Sequence, residues 1–149
     1  MLEGKRIIVT GAARGMGEAT LSAYVGSGAN VVAMDINEKM GKAVVGKIHE
    51  TGPGSAFFTH IDVADKNSVE QSFSKAVALL DGLDVLAHPA AIQAASAAFW
   101  MNHQSIALGN NYGDPLTDLG PVMVFFASDA SRFITGQLIP VDGGQTNTR

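Results

Sequence analysis

The chain contains no cysteine. That absence excludes disulfides, thiolate catalysis and cysteine-ligated zinc. Basic residues are few and scattered, with no cluster beyond Lys5-Arg6, and the net charge is −4. The electrostatic footprint of a nucleic-acid binder is therefore missing, and no nucleic-acid partner is expected. No apolar run approaches the ~18 residues that a membrane-spanning helix needs, so no membrane partner is expected either. The first apolar strand begins by residue 6, which leaves no room for a secretory signal, and the expected location is cytoplasmic. Four histidines (His49, His60, His88, His103) show no ligand-like pairing, and no metal site is expected. No lysine follows Lys75, and the only tyrosines are Tyr24 and Tyr112.

What is present suits a folded domain. Hydrophobic residues make up 46% and charged residues 16% of 149 residues. That composition argues for one domain with a substantial core and against disorder.

The most informative segment is Lys5-Arg-Ile-Ile-Val-Thr-Gly-Ala-Ala-Arg-Gly-Met-Gly17. An apolar strand (Ile7, Ile8, Val9) runs into Gly11-x-x-x-Gly15-x-Gly17, and a helical pattern starts near Gly15. Strand, glycine turn and helix start together form the geometry that holds a pyrophosphate. Gly11 suits the tight turn because it has no Cβ to clash. Gly15 lets the backbone approach phosphate, and Gly17 lets helix and strand pack closely. The free N–H groups of the first helical turn then face the anion. Three glycines alone are weak evidence in a chain with 17 of them. The match becomes specific because Asp35 ends the next apolar strand, 18 residues past Gly17, where an acid would meet a ribose.

The remaining pattern alternates. Strands are expected near 5–10, 30–35, 56–61 and 83–87. Helices are expected from Gly15 to Ser27, from an Asn37 cap to His49, and from an Asp65 cap to Leu80. Such alternation implies parallel strands with helices on both faces. After Ala90 the rhythm breaks. Residues 91–109 are alanine-rich around Phe99-Trp100-Met101 and read as one helix and a loose connection. Residues 110–115 are a turn run. Thr117 is the expected cap of a helix through Ser128 that tolerates Pro121 in its first turns. A last strand is expected over Gln137–Val141.

These features resemble the short-chain dehydrogenase/reductase family of classical type. The resemblance rests on Thr10-Gly-x-x-x-Gly-x-Gly17, Asp35, Asp62-Val63, Leu83-Asp-Val-Leu-Ala87, Gly113-Asp-Pro-x-x-Asp-Leu-Gly120 and Phe133-Ile-Thr-Gly-Gln-Leu-Ile-Pro-Val-Asp-Gly-Gly144. It covers about residues 2–97 and 105–144. It implies an α/β, Rossmann-like, doubly wound parallel sheet, truncated to strands 3-2-1-4 plus a C-terminal strand. It also implies one dinucleotide-binding domain over 1–149 with an internal deletion near 98–104. Similar proteins carry a catalytic serine and a Tyr-x-x-x-Lys pair between the two blocks. This chain has neither lysine nor spacing for that pair, because Leu116 lies four residues after Tyr112. Their Asn-Asn-Ala-Gly after strand four is replaced here by His88-Pro89-Ala90-Ala91.

The resemblance implies NAD as cofactor and an NAD(H)-dependent oxidoreductase by family, with little or no activity in this shortened form. The alternative is a non-catalytic dinucleotide-binding or self-associating module. A homo-oligomer is expected, because the C-terminal block pairs with its own copy in similar proteins. The cofactor would be held by Gly11, Arg14, Gly15, Met16, Gly17, Asp35, Ile36, Asp62, Val63 and Ala90. Asp35 favours NAD over NADP because its carboxylate opposes a 2′-phosphate, whereas the cationic Arg14 pulls the other way. For Asp35 the plainer role is capping the next helix, which Asn37 does better. For Asp62 the plainer role is a strand-end acid starting a turn. No catalytic residue is assigned. His103, Ser105 and Tyr112 read as polar loop residues, with no spacing that makes them an acid/base group.

Overall fold

The computed structural model describes residues 1–48, 52–90 and 113–142. Four parallel strands form one sheet: β1 (Arg6–Thr10), β2 (Asn30–Asp35), β3 (Ser55–His60) and β4 (Val85–Ala87), in the order β3-β2-β1-β4. Helices α1 (Gly15–Gly26), α2 (Glu38–Ile48) and α3 (Lys66–Leu80) make the crossovers. A π-helical turn (Pro115–Leu119), α4 (Gly120–Ala127) and a 3-10 turn (Asp129–Ser131) follow.

The central strands read as continuous apolar runs because they are covered on both faces. Ile7, Val9, Val31 and Ala33 share one core with Leu21, Tyr24 and Val25 of α1, Val44 and Ile48 of α2, and Val124 and Ala127 of α4. Ile8, Val32 and Met34 face the other way, onto Val69, Phe73, Ala76 and Leu80 of α3. Period-2 alternation of side chains sorts the strands between these two cores. Tyr24 is 1% exposed, and burial pushes its phenol up to about 12. It fills the core, and no proton would leave it near neutral pH.

Capping follows the sequence in two places. The Asp65 side chain accepts the Asn67 N–H (3.0 Å) at the start of α3. The Asn37 side chain accepts the Met40 N–H (3.1 Å) at the start of α2. The third expected cap is corrected. Asp114, not Thr117, opens the last helical segment, accepting the N–H groups of Leu116 (2.9 Å) and Thr117 (2.8 Å). These bonds, the one from Thr117 foremost, hold the Asp114 carboxyl below the usual carboxylate range. An acceptor-only carboxylate satisfies two orphan amides at once, and Pro115 beside it has no N–H to satisfy.

The expected C-terminal strand is a second correction. Residues 137–141 pair with no strand, and the sheet has four strands among the described residues. Residues 134–139 and Val141 instead line a hollow of about 490 Å³ against Leu119, Val122, Met123 and Phe126. A strand exists only where a neighbouring edge supplies ladder partners, and here no described strand neighbours this segment. β4 is also shorter than expected, because Leu83 and Asp84 precede the ladder. The readings of 91–109 and of 110–112, including Phe99-Trp100-Met101, the deletion near 98–104, and His103, Ser105 and Tyr112, lie outside the described residues.

Asp84 is spent on a clamp that sets the β1–β4 register. Its Oδ2 accepts the Arg6 N–H (2.8 Å) and Nε (3.0 Å), and its Oδ1 accepts Nη2 (2.7 Å). Arg6 Nη1 also donates to the Asp81 carbonyl (2.6 Å). The Arg6 side chain, then its backbone N–H, hold the Asp84 carboxyl far below the usual carboxylate range. A depressed folded pKa contributes stability that is present above the unfolded value of ~3.9 and lost as pH falls towards the folded value. Asp84→Asn should therefore lower the melting temperature at pH 7. The gap to the parent should shrink as pH falls below about 4. Parallel melts at pH 7 and pH 3 check this, and a pH-independent gap would refute it.

Candidate functional site

All four strands point their carboxyl ends at one edge of the sheet, and the order reverses between β1 and β4. In open α/β sheets that crevice is where ligands sit. Four contacts draw the strand-end loops together. The Ala12 N–H donates to the Met34 carbonyl (3.1 Å). The Ala13 N–H donates to Asp35 Oδ2 (3.0 Å). The Ile61 N–H donates to the Asp35 carbonyl (3.2 Å), bringing Asp62 and Val63 beside β2. Thr10 Oγ1 shares a hydrogen bond with His88 Nδ1 (2.5 Å), tying the end of β4 to that of β1.

The three glycines do different work. Gly11 turns with φ +66°, and a Cβ there would sit 2.6 Å from Ala90 Cα and 2.8 Å from Ala90 N. The loop after β4 therefore rests on this turn. A Cβ at Gly17 would overlap the Gly11 carbonyl, so the helix approaches the turn as closely as it does only with glycine there. Gly15 has φ +57°, and a Cβ on it would meet nothing within 4 Å. That side of the turn is open for a ligand.

Helix α1 starts without a side-chain cap. Arg14 at the N-cap is extended (φ −162°) and makes no side-chain cap bond. Among the described residues its guanidinium has no hydrogen bond or ion pair. First-turn amides without a cap, beside an exposed cation, suit an anion. Met16 beside them is exposed.

While the cap of α2 is Asn37, the Asp35 side chain accepts two backbone N–H groups at this edge. Its Oδ1 accepts the Asn37 N–H (2.8 Å), and its Oδ2 accepts the Ala13 N–H (3.0 Å). The carboxylate is thus fixed between the glycine turn and the end of β2, with acceptor capacity left over, since each oxygen has a further lone pair. Spacing could not reveal the bond to Ala13, because it depends on the parallel β1–β2 register. Ile36 next to it is exposed. Asp62 Oδ1 accepts the Ala64 N–H (2.9 Å), and its own N–H donates to Ser68 Oγ (2.9 Å). Val63 is exposed. The Asp62 turn therefore exists as the plainer reading had it, and it lies at the same crevice.

Two hollows lie mainly outside the strand-end crevice, although the second reaches Gly15. The one of about 490 Å³ runs along α4, and one of about 290 Å³ lies beside Gly15, Glu18 and Pro115. We place the site at the strand ends instead, where polar groups converge. Among the described residues no three metal-ligating side chains cluster, and no helix is long and apolar enough to cross a membrane.

The family model described as short chain dehydrogenase matches residues 5–107. A short chain dehydrogenase/reductase of Macrophomina phaseolina is 38% identical over 91 residues, covering 61% of this chain and 52% of the relative. The chain is similar to the crystal structure of a short chain dehydrogenase from Burkholderia cenocepacia in complex with NADP. That match has a TM-score of 0.58 and 31% identity, over 65% of this chain and 40% of that one. It is also similar to a 3-ketoacyl-(acyl-carrier-protein) reductase from Brucella melitensis complexed with NADH. There the TM-score is 0.53 and the identity 28%, over 58% of this chain and 34% of that one. The chain spans about half the length of the curated relative.

Proposed function

We propose that this chain, which belongs to the short-chain dehydrogenase family, binds a nicotinamide dinucleotide at the strand-end crevice and prefers NAD(H) to NADP(H). The amides of Gly15, Met16 and Gly17, with Arg14, would hold the pyrophosphate over the turn made by Gly11. Asp35 and the backbone at Ile36 would take the adenosine ribose. Asp62 and Val63 would edge the adenine, and the Ala90 backbone would face the second ribose. The residues fit that group, because the open side of Gly15 and the uncapped start of α1 make a cradle for it. When bound, NAD would supply a two-electron hydride acceptor.

The observation that carries the cofactor preference is the fixed Asp35 carboxylate. A ribose diol can donate to it, and a 2′-phosphate would be repelled by it. Arg14 is the opposing term. It is exposed and held by nothing among the described residues, so ordering it on a phosphate costs side-chain entropy. Titration with NADH and NADPH should show NADH tighter by about tenfold, or about 1.4 kcal/mol. Asp35→Ala should weaken NADH and narrow the gap. Equal affinity of the unmodified chain for both cofactors would overturn the preference.

A second reading, compatible with the first, is self-association, and the C-terminal segment favours it. Leu138 is 97% and Phe133 89% exposed, with Ile134, Ile139 and Val141 partly exposed beside them. A patch of this kind marks an interaction surface, and a two-fold contact would cover it with its own copy. Leu138→Asp should shift the protein towards monomer in sedimentation at tens of micromolar (about the range where a weak interface forms). A parent chain that is already a stable monomer there would sink this reading.

A further inference from the structure

Resting on the binding proposal above, we infer that His88 is a binding residue on the β4 side of the crevice. Thr10 holds its imidazole as the Nε2–H tautomer, and Nε2 donates a hydrogen bond to a hydroxyl oxygen of the second ribose.

The imidazole stands where the strand order reverses. Thr10 is the last residue of β1, and His88 directly follows the last residue of β4. Val9 pairs with Ala87, so Thr10 and His88 come together just past the end of that ladder. Thr10 is fully buried and His88 is exposed, with Thr10 Oγ1 2.5 Å from His88 Nδ1. The ring is thus anchored through one nitrogen and open at the other. Pro89 biases the His88 backbone towards extended conformations, which further limits where the ring can go.

The anchor also selects the tautomer. Thr10 Oγ1 makes no other hydrogen bond among the described residues. If it only accepted from Nδ1–H, its own proton would be buried without a partner, which costs free energy. Donation from Thr10 to Nδ1 satisfies that proton and leaves the ring proton on Nε2.

The order of groups in the ligand decides what Nε2 meets. In the proposed pose adenosine lies over the ends of β2 and β3, and the pyrophosphate over the turn after β1. The next group along the molecule is the second ribose, and the next strand is β4. A ribose hydroxyl can accept from a neutral imidazole N–H. One such bond is worth about three- to tenfold in affinity.

The test has two parts, both on the full chain at pH 8. The first needs no ligand. Nitrogen NMR of the histidine-labelled chain, with His88 assigned by its loss in His88→Ala, should show the Nε2–H tautomer. Thr10→Val should move the Nδ1 resonance, because the donated bond is gone. An Nδ1–H tautomer, or an Nδ1 resonance that ignores Thr10→Val, would overturn the inference. The second part is calorimetric titration with ADP, ADP-ribose and NADH. His88→Ala should weaken ADP-ribose and NADH equally, by about three- to tenfold, and leave ADP unchanged. His88→Phe, which keeps a ring without an N–H, is the second variant should alanine unfold the chain. Equal weakening of ADP would mean a phosphate contact, and weakening of NADH alone a contact to the nicotinamide. Either result, or no weakening at all, would overturn the inference and leave the binding proposal standing. If the folded parent chain binds none of the three, the binding proposal falls and takes the inference with it.

Discussion

Offered NADH and a panel of aldehydes and ketones, the purified chain should oxidise the cofactor slowly or not at all. Loss of a positioned acid/base group alone lowers a rate by about 10²–10⁴. Hydride transfer to a carbonyl leaves an alkoxide that needs a proton from a nearby acid. In the proteins this chain resembles, a tyrosine delivers it, with a lysine bringing the phenol towards working pH. Here Tyr24 is in the core, with its phenol pushed up to about 12 by burial. Tyr112 has no lysine at the required spacing, and no lysine lies anywhere after residue 75. Tyr24→Phe should accordingly leave any residual rate unchanged. Turnover at roughly 1–10³ s⁻¹ by a sample whose mass matches this chain would contradict the expectation. Tyr112→Phe and His103→Ala would then be the variants that locate the proton donor.

Gly17→Ala should cost both stability and binding. The added Cβ would overlap the Gly11 carbonyl and come within 3.0 Å of Ala12 Cα. Both obstacles are backbone, so no side chain can swing aside. Either α1 moves off the sheet or the turn opens. Forcing atoms into a packed site costs about 1–3 kcal/mol. The displaced helix start would also carry its first amides away from the proposed phosphate position, so NADH affinity should fall along with the melting temperature. Gly46→Ala is the contrasting variant. It lies inside α2, a Cβ there meets nothing within 4 Å, and alanine is the better helix former by about 1 kcal/mol. It should be neutral or stabilising. A Gly17→Ala protein that melts and binds like the parent would show that the close approach of helix and turn is unimportant.

Both results would bear on why this chain could be read so far from its residues. The apolar runs Ile7–Val9 and Val31–Met34, the glycine spacing from 11 to 17, and Asp35 at the end of β2 are local signals. Each is a choice the backbone makes within a few residues, by sterics at a turn or by burial on both faces of a strand. Those choices, repeated in strand–helix alternation, point to parallel strands with helices on both faces, and the family resemblance supplies the order β3-β2-β1-β4. The caps at Asn37 and Asp65 were legible for the same reason, since a cap acts over two or three residues.

Other outcomes depended on partners distant in sequence. Whether residues 137–141 become a strand is decided by the presence of a neighbouring edge, and no described strand supplies one. The Asp35–Ala13 bond arises only once β1 and β2 lie in register, and the Thr10–His88 bond only once β4 joins β1. The sequence by itself thus determined the strand–helix alternation through β4 and the chemistry available at the strand ends. The tertiary structure alone decided which of those groups hold one another in place. Propensities and turns act over a few residues, whereas a hydrogen bond between loops requires the whole sheet to bring its donor and acceptor together.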